Sequence, residues 1–297
     1  MAEPFDPRHG EAVEVAPGVV RLTARNPGAF TGPGTNSYLL GTRALAVVDP
    51  GPDDPAHFEA LLRAIDGRPV THVLVTHTHA DHSPLARPLA ERTGAIVCAE
   101  GPHRAARPLH EGERNALDAS ADRDFAPDRT LADGERIEGE GWAVEAVTTP
   151  GHTANHLAFA LPGTGLLLSG DHVMAWATTI VAPPDGAMGD YLASLDRLMA
   201  RDDARLLPGH GGPVEEPGRY MKALKAHRLM REGAILERVR AGDETIAAIV
   251  ETVYRGTDRR LHGAAALSTL AHLEELVARG LVVADGPPRL DARFAPT

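Results

Sequence analysis

The sequence is poor in cysteine, in long apolar runs and in targeting signals, and each shortage narrows the class of protein. Cys98 is the only cysteine among 297 residues, so an internal disulfide is impossible and a reducing compartment is expected. No run of eighteen apolar residues occurs, which predicts no membrane span. The first ten residues, MAEPFDPRHG, lack the basic and apolar regions of a secretory signal. We therefore expect a cytoplasmic protein without a membrane partner.

Positive charge is also scarce. The chain has 30 Lys and Arg against 41 Asp and Glu, which gives a net charge of −11. Only residues 217–297 are basic on balance, with 13 positive against 10 negative side chains. An acidic body does not attract polyanions, so a small-molecule substrate is favoured over nucleic acid as partner.

Short apolar runs bounded by Gly, Pro and Asn predict strands in the first fifty residues. A helix is predicted in DDPAHFEALLRAID, with Asp53 or Asp54 as its N-cap, and strands and helices then alternate to residue 216. Residues 100–135 are irregular and predict a loop with a short helix. The alternation predicts an α/β fold in which helices cover a sheet.

The pattern changes after Pro217. Three helical segments follow, and LVVADGPPRLDARF then predicts a β-hairpin. Helices followed by a hairpin suggest a winged-helix module. We expect a catalytic domain over residues 1–216 and a winged-helix-like domain over residues 217–297.

Three imidazoles and a carboxylate crowd the end of a predicted strand in VLVTHTHADH. They are His77, His79, Asp81 and His82. The pattern H-x-H-x-D-H is expected by chance on the order of 0.003 times in a chain of this size and composition. Imidazole and carboxylate are ligands of zinc and similar divalent metals where thiolates are absent. The cluster therefore predicts a metal site, at which His77→Ala should lose metal and activity together.

Three more candidate ligands end apolar runs in Gly-rich turns. His152 lies in TTPGHT, Asp171 in LLLSGD and His210 in RLLPGHG. Their shared position matters because functional residues collect on loops where strands end. Seven candidate ligands suffice for two metals bridged by a carboxylate. Two adjacent metals can deprotonate a shared water near neutral pH.

The motifs THTHADH, PGHT, SGD and PGHG, in this order, resemble the metallo-β-lactamase superfamily, whose fold is an αβ/βα sandwich. The resemblance implies two zinc ions per chain, although iron and manganese accept the same ligands. It implies three roles for the ligands: His77, His79 and His152 for the first metal; Asp81, His82 and His210 for the second; Asp171 as the bridge. Asp81 and Asp171 would thereby also act in catalysis. Asp49 in VVDPG matches a recurring turn of the family, either behind the ligands or purely structural.

The segments NPGAFTGPGTNSYLLG and GDHVMAWATTIVAPP and the C-terminal tail resemble the β-lactamase-like protein 2 family. True β-lactamase activity is not expected, because those enzymes lack a bridging Asp. Only 38 residues separate Asp171 from His210, too few for the inserted domain of the β-CASP nucleases. The 18 residues between His152 and Asp171 leave no room for a tRNA-binding arm.

Three functions remain open. The first is hydrolysis of a small ester-type substrate: an ester, thioester, lactone or phosphodiester. The second is cleavage of single-stranded RNA, which the resemblance implies for some relatives; Arg255, Arg259 and Arg260 would be its best basic cluster. The third is a non-catalytic, metal-stabilised binding protein. The tail could also be an assembly module, or pack over the metal cleft as a lid.

Several residues near the motifs are candidates for the substrate pocket. They are Asn36 in GTNSY, His172 directly after Asp171, and Trp176, Thr178 and Thr179. Packing within strands and loops is the alternative role for each of them.

Overall fold

A computed structural model describes residues 5–116 and 120–297. The first sheet has seven strands in chain order, antiparallel up to the fourth and parallel beyond it. Its strands are β1 (Ala12–Ala16), β2 (Val19–Thr23), β3 (Asn36–Leu40), β4 (Leu45–Val48), β5 (Val70–Leu74), β6 (Ile96–Ala99) and β7 (Arg129–Thr130). Helices α1 (Pro55–Ile65) and α2 (Ala86–Thr93) connect its parallel strands. The predicted N-cap of α1 is Asp54, whose side chain accepts from the amide of Ala56.

The second sheet has five strands and a single parallel pair, β11 with β12. Its strands are β8 (Arg136–Gly139), β9 (Trp142–Thr148), β10 (Leu157–Leu161), β11 (Leu166–Gly170) and β12 (Arg205–Pro208). Helix α3 (Met188–Met199) joins β11 to β12. The described part of residues 100–135 is loop with β7 and no α-helix; residues 117–119 of that predicted loop and helix lie outside the described residues.

The two sheets pack face to face, and helices cover their outer faces. Leu40, Val48 and Leu74 of the first sheet share a buried cluster with Val144 and Phe159 of the second. A second cluster joins the first sheet to α1 and α2, and a third joins the second sheet to α3. Each inner strand is therefore buried on both faces, as its continuous apolar sequence predicts. The predicted α/β architecture, an αβ/βα sandwich, is confirmed.

The C-terminal segment forms three helices and a two-stranded hairpin, which confirms the predicted winged helix. Its elements are α4 (Pro217–Arg240), α5 (Ile246–Val253), α6 (His262–Ala278), β13 (Val282–Ala284) and β14 (Phe294–Pro296). They enclose a separate apolar cluster. The division at residue 217 stays a prediction: α4 begins there, yet its Met221 and Leu224 pack in the cluster around α3.

An ion-pair network also joins the two parts of the chain. Arg107, in the loop after β6, contacts Glu113 of the same loop at 2.7 Å and Glu274 of α6 at 2.6 Å. Among the described residues, no helix is long and apolar enough to cross a membrane.

Candidate metal centre

All seven predicted ligands follow strand ends along one edge of the sandwich. His77, His79, Asp81 and His82 follow β5, and the other three follow β9, β11 and β12. The centre is cross-linked at this edge, because the amide of Asn36 donates to the carbonyl of Gly209 and the amide of Gly209 donates to that of Gly170. Short polar side chains from four strand ends therefore converge on one place.

One group of ligand atoms consists of three imidazoles. The Nδ1 atom of His79 lies 3.1 Å from Nε2 of His77 and 3.0 Å from Nε2 of His152. Ligands bound 2.0–2.1 Å from a tetrahedral zinc ion lie about 3.3 Å from one another. The three nitrogens thus have close to the spacing that a shared metal ion requires.

A second group lies beside the first. Nε2 of His210 is 3.2 Å from Oδ2 of Asp81 and 3.3 Å from Nε2 of His82. Asp171 stands between the two groups. Its Oδ2 is 3.2 Å from Nε2 of His210 and 3.8 Å from Nε2 of His152. Its carboxylate faces both groups at once, as a bridging ligand would.

Four imidazoles present Nε2 to the centre because an oxygen atom holds their Nδ1. The partners are the carbonyl of Ile180 for His152, the carbonyl of Gly34 for His210, the carboxylate of Asp49 for His82 and the hydroxyl of Thr76 for His77. Such outer contacts fix the ring and its tautomer in metal sites. The lone pairs of these four rings therefore point inward.

Two further observations fit a metal. Oδ1 of Asp171 is buried without a hydrogen-bond partner, and a buried carboxylate oxygen is costly unless paired or metal-bound. A Cβ on Gly209 would stand 2.4 Å from that oxygen and 2.8 Å from the ring of His82. The chain thus keeps the space beside Asp171 and His82 clear. Three overlapping groups of the ligand residues could each hold a metal ion: His77, His79 and His152; His77, His82 and Asp171; Asp81, His82 and His210.

The family model described as the metallo-beta-lactamase superfamily matches residues 30–210. The chain belongs to the metallo-β-lactamase superfamily. A second model, the beta-lactamase associated winged helix domain, matches residues 245–289. Because the chain belongs to this superfamily and contains groups of side chains that could hold a metal, it is a metal-dependent hydrolase.

Relatives of the superfamily share both parts of the chain. The beta-lactamase-like protein 2 homolog of Drosophila melanogaster is 30% identical over 276 residues, which cover 88% of each protein. The crystal structure of a beta-lactamase domain protein from Burkholderia ambifaria has a TM-score of 0.82 and 27% identity, and the match covers 100% of this chain and 96% of that one. A metallo-beta-lactamase family protein from Thermus thermophilus has a TM-score of 0.76 and 29% identity over 96% of this chain and 100% of its own.

Burial and neighbouring charges divide the imidazoles into two sets. Burial lowers the pKa of His77 and His152, and that of His79 to about 3, so these rings are neutral at pH 7. For His210, burial acts in the same direction, but the carboxylates of Asp171 and Asp81 outweigh it and raise the pKa to about 9. The metal-free site therefore holds a proton that a metal must displace.

We expect metal binding to release protons. With a pKa of about 9, His210 is protonated at pH 7 in the metal-free protein. The apparent affinity for zinc should therefore increase as the pH is raised to about 9 and decrease as the pH is lowered from that value. Calorimetric zinc titrations at pH 7 in two buffers of different ionisation enthalpy measure this effect. At least one proton per chain should be released. Binding heats that are identical in the two buffers would contradict the protonated state of His210.

Asp49 supports the centre from behind. Its Oδ2 lies 3.0 Å from Nδ1 of His82 and accepts from the hydroxyl of Thr76, and its Oδ1 accepts from the amide of Thr76, both at 2.7 Å. The residue has a φ of 47°, a left-handed conformation that Asp and Asn tolerate better than most residues. Of its two predicted roles, contact with a ligand is the one the structure shows.

Asp49→Asn should weaken metal binding without unfolding the protein. Asparagine fits the backbone but removes the negative charge behind His82, and outer changes of this kind cost roughly 10- to 100-fold in metal affinity. Competition with a chromogenic chelator gives the affinity. Asp54→Asn, which keeps a capping side chain on α1, is the matched control. Equal affinities for the two variants would show that Asp49 serves only the turn.

The structure adds positioning residues that the motifs do not reveal. Nε2 of His156 accepts from the backbone amide of Asp171 at 3.1 Å, and its Nδ1 lies 2.8 Å from the hydroxyl of Thr149. Thr35 donates to Asp81 at 2.9 Å. His156 follows His152 by four residues in PGHTANH, and this spacing was the only signal for it.

A cavity of about 460 Å³ opens over the metal centre. Trp176, Thr178 and Thr179 line it, as predicted, together with His79 and Asp171. The ring of Trp176 lies against Gly32 and Gly211, where a Cβ would approach it to 2.7 Å and 2.9 Å. These two glycines let the indole lie flat beside the ligand turns.

Asn36 and His172 were expected in the pocket, and the structure corrects both expectations. Asn36 is fully buried, and its amide group donates to the carbonyls of Pro208 and Gly211, so it braces the turn that carries His210. His172 is fully buried against the ring of Tyr191, and burial lowers its pKa to about 3. Neither side chain lines the cavity.

The C-terminal domain forms the far wall of the cavity. Arg228, Arg231, Tyr254, Leu261 and Ser268 contribute to it. The segment after residue 217 therefore covers the metal cleft, the arrangement that the lid alternative requires. The predicted basic cluster lies elsewhere: Arg255, Arg259 and Arg260 are exposed and do not line the cavity, and Arg260 pairs with Asp258 at 2.6 Å.

Proposed function

We propose that the chain is a dinuclear, zinc-dependent hydrolase of small acyl substrates: esters, thioesters or lactones. The observation that carries the proposal is the wall which the winged helix builds over the ligand groups. A cleft bounded on the far side by Tyr254, Leu261 and Ser268 suits a compact substrate. The Drosophila melanogaster relative is matched over most of its length, so the proposal concerns both parts of the chain.

The ligands divide in this proposal as the motifs imply. His77, His79 and His152 would hold one metal, Asp81, His82 and His210 would hold the other, and Asp171, which faces both groups, would bind both. Two bound zinc ions would supply Lewis acidity and lower the pKa of water to near neutrality. Zinc suits five imidazoles and two carboxylates, while iron and manganese remain alternatives that the same ligands accept.

The chain's own residues hold the reacting groups in place. Asp49, His156 and Thr35 fix His82, Asp171 and Asp81, so that the ligands need no rearrangement during the reaction. Trp176 and Leu261 give the cleft apolar surface that excludes water from a bound acyl group. One relative supports acyl chemistry: a protein of Aspergillus chevalieri named atrochrysone carboxyl ACP thioesterase is 26% identical over 81% of this chain.

Cleavage of single-stranded RNA is the second candidate, favoured by the winged helix over residues 245–289. The exposed position of Arg255, Arg259 and Arg260 outside the cavity weakens it, because a strand reaching the metals would not meet them within the cleft. A non-catalytic binding protein is the third candidate, and the complete ligand set weighs against it.

Side-by-side turnover separates these candidates. Protein reconstituted with zinc, iron(II) or manganese is given an acyl 4-nitrophenyl ester, an acyl thioester, a lactone, a bis(4-nitrophenyl) phosphodiester and a single-stranded oligoribonucleotide. We expect zinc-dependent hydrolysis of the acyl substrates that is lost in Asp171→Ala. Cleavage of the phosphodiester and RNA alone would overturn the proposal in favour of a nuclease. No turnover at full metal loading would favour a binding protein.

A further inference from the structure

Arg228 of α4 is a buried cation in the wall of the metal cleft. Its residue is 4% exposed, and its side chain lines the cavity. Its guanidinium donates to the carbonyl of Thr179, lies 3.5 Å from the hydroxyl of Ser268, and stands 5.2 Å from the ring centre of Tyr191. Its Nε is buried without a partner. These three contacts of the cation are neutral, and one of its donors has no partner among the described residues.

No carboxylate compensates this charge within the described residues. Arg228 is absent from the ion pairs of residues 5–116 and 120–297, and the same is true of Arg231, one turn along α4. Glu232, the nearest acid along α4, pairs with Arg279 and faces His272. Burying an unpaired charge costs free energy, which an opposite charge recovers. Among residues 5–116 and 120–297, no carboxylate therefore faces Arg228 in this wall of the cleft.

The rest of the cleft also favours an anion. The only carboxylates along the described cavity wall are Asp81 and Asp171, and both belong to the metal-ligand groups. Arg231 adds a second cation to the wall, held by the carbonyl of Val253 at 2.7 Å and stacked on Tyr254 at 4.3 Å. Its position extends the positive surface from Arg228 along α4.

Arg228 also lies close to the ligands. Its partner Thr179 donates through its hydroxyl to the backbone carbonyl of Asp171, so two hydrogen bonds link the guanidinium to a metal ligand. A single small substrate can therefore reach the metal centre and Arg228 together. Because a single residue, Thr179, links the guanidinium to Asp171, such a substrate needs only a short chain between the reacting carbonyl and the charged group.

We propose that Arg228 binds an anionic group, a carboxylate or a phosphate, which the substrate carries at a short distance from its scissile acyl bond. Arg231 completes the positive surface, and the planar guanidinium of Arg228 suits the paired oxygens of such groups. This inference rests on the proposed acyl hydrolysis and adds the charge class of its substrate.

Matched esters test the inference. Mono-4-nitrophenyl glutarate is compared with its neutral N-methylamide, which has the same reacting bond. Wild-type, metal-loaded protein should prefer the charged ester by roughly 10- to 100-fold in kcat/KM, mainly through KM. Arg228→Gln should remove the preference, which is measured as the ratio of the two kcat/KM values within each variant. Arg219→Gln, the same charge change on the exposed face of α4, should keep it.

The possible results distinguish an Arg228 that binds the substrate's anionic group from an Arg228 that only stabilises the fold. If Arg228 only ties the domains together, Arg228→Gln lowers turnover of both esters equally, and this result would overturn the inference. The inference is also overturned if the wild-type protein hydrolyses the charged and the neutral ester equally well. If Arg228→Gln does not fold, Arg228→Lys is used in its place. Lysine keeps the charge but lacks the planar guanidinium, so this variant should show a smaller preference for the charged ester. Replacing glutarate by 4-phosphonobutyrate tells which anion is preferred.

A binding measurement keeps the two proposals distinct. The anilide analogue of the charged ester resists hydrolysis, and its affinity for metal-loaded protein is measured by calorimetry. Weaker binding to Arg228→Gln than to Arg219→Gln supports the inference even if neither ester is hydrolysed, an outcome that would refute only acyl hydrolysis. Equal affinities refute the inference even if both esters are hydrolysed.

Discussion

Asp171→Ala should abolish turnover and reduce the bound metal to one ion per chain or fewer. Among the described residues, Asp171 is the one carboxylate that faces both ligand groups, at 3.2 Å from His210 and 3.8 Å from His152. In the proposed dinuclear centre, its loss would remove a ligand from both metals together. We expect kcat/KM to fall by more than the roughly 100-fold that changes behind the ligands cost. Metal analysis and turnover are measured on the same preparation.

The fold should survive this change, so the metal-free variant should have the circular dichroism spectrum of the wild type. Zinc should raise the Tm of the variant less than that of the wild type, because a ligand stabilises a protein only as far as it binds to it. Asp196→Asn is the matched control, since Asp196 is an exposed residue of α3 that pairs with Lys225. Full metal content and activity in Asp171→Ala would show that Asp171 is no ligand.

Gly209→Ala should damage the centre although it removes no ligand. The new methyl group would stand 2.4 Å from Oδ1 of Asp171 and 2.8 Å from Cε1 of His82, and a real Cβ atom does not approach non-bonded atoms so closely. Asp171 or His82 must then move, and a shift of about 1 Å in a catalytic group costs on the order of 100-fold in rate. We expect weaker zinc binding and a loss of turnover of that size.

Gly218→Ala is the control for the chemical change itself. A Cβ there meets no atom within 4 Å, and the residue lies in the first turn of α4. Alanine favours a helix over glycine, so this variant should be as stable as the wild type or slightly more so. If Gly209→Ala and Gly218→Ala bind zinc equally well, the space beside Asp171 is not needed for the metal.

The convergence of the seven candidate ligands could be predicted because their signal is local. Each candidate ligand follows an apolar run and a turn. Strand ends at one edge of a sheet lie close together regardless of how the loops between the strands fold. The winged helix could be predicted in the same way from helical spacing and a final hairpin. In both cases the pattern lies within a short segment of chain.

The pocket could not be predicted, because its walls depend on contacts between distant segments. Asn36 is directed away from the cavity by the carbonyls of Pro208 and Gly211, which are 172 and 175 residues away along the chain. Arg228 is one of many basic residues on α4, and the sequence does not tell which of them faces a distant domain. Its importance follows only from burial without an acidic partner.

Equilibrium zinc binding to metal-free protein, followed by metal analysis after dialysis, tests the central claim most directly. Asp171 lies between the group of His77, His79 and His152 and the group of Asp81, His82 and His210, so we predict two zinc ions per chain in the wild type and one or fewer in Asp171→Ala. A wild-type protein that binds no zinc, or that binds a single ion which Asp171→Ala retains, would contradict a dinuclear centre bridged by this carboxylate.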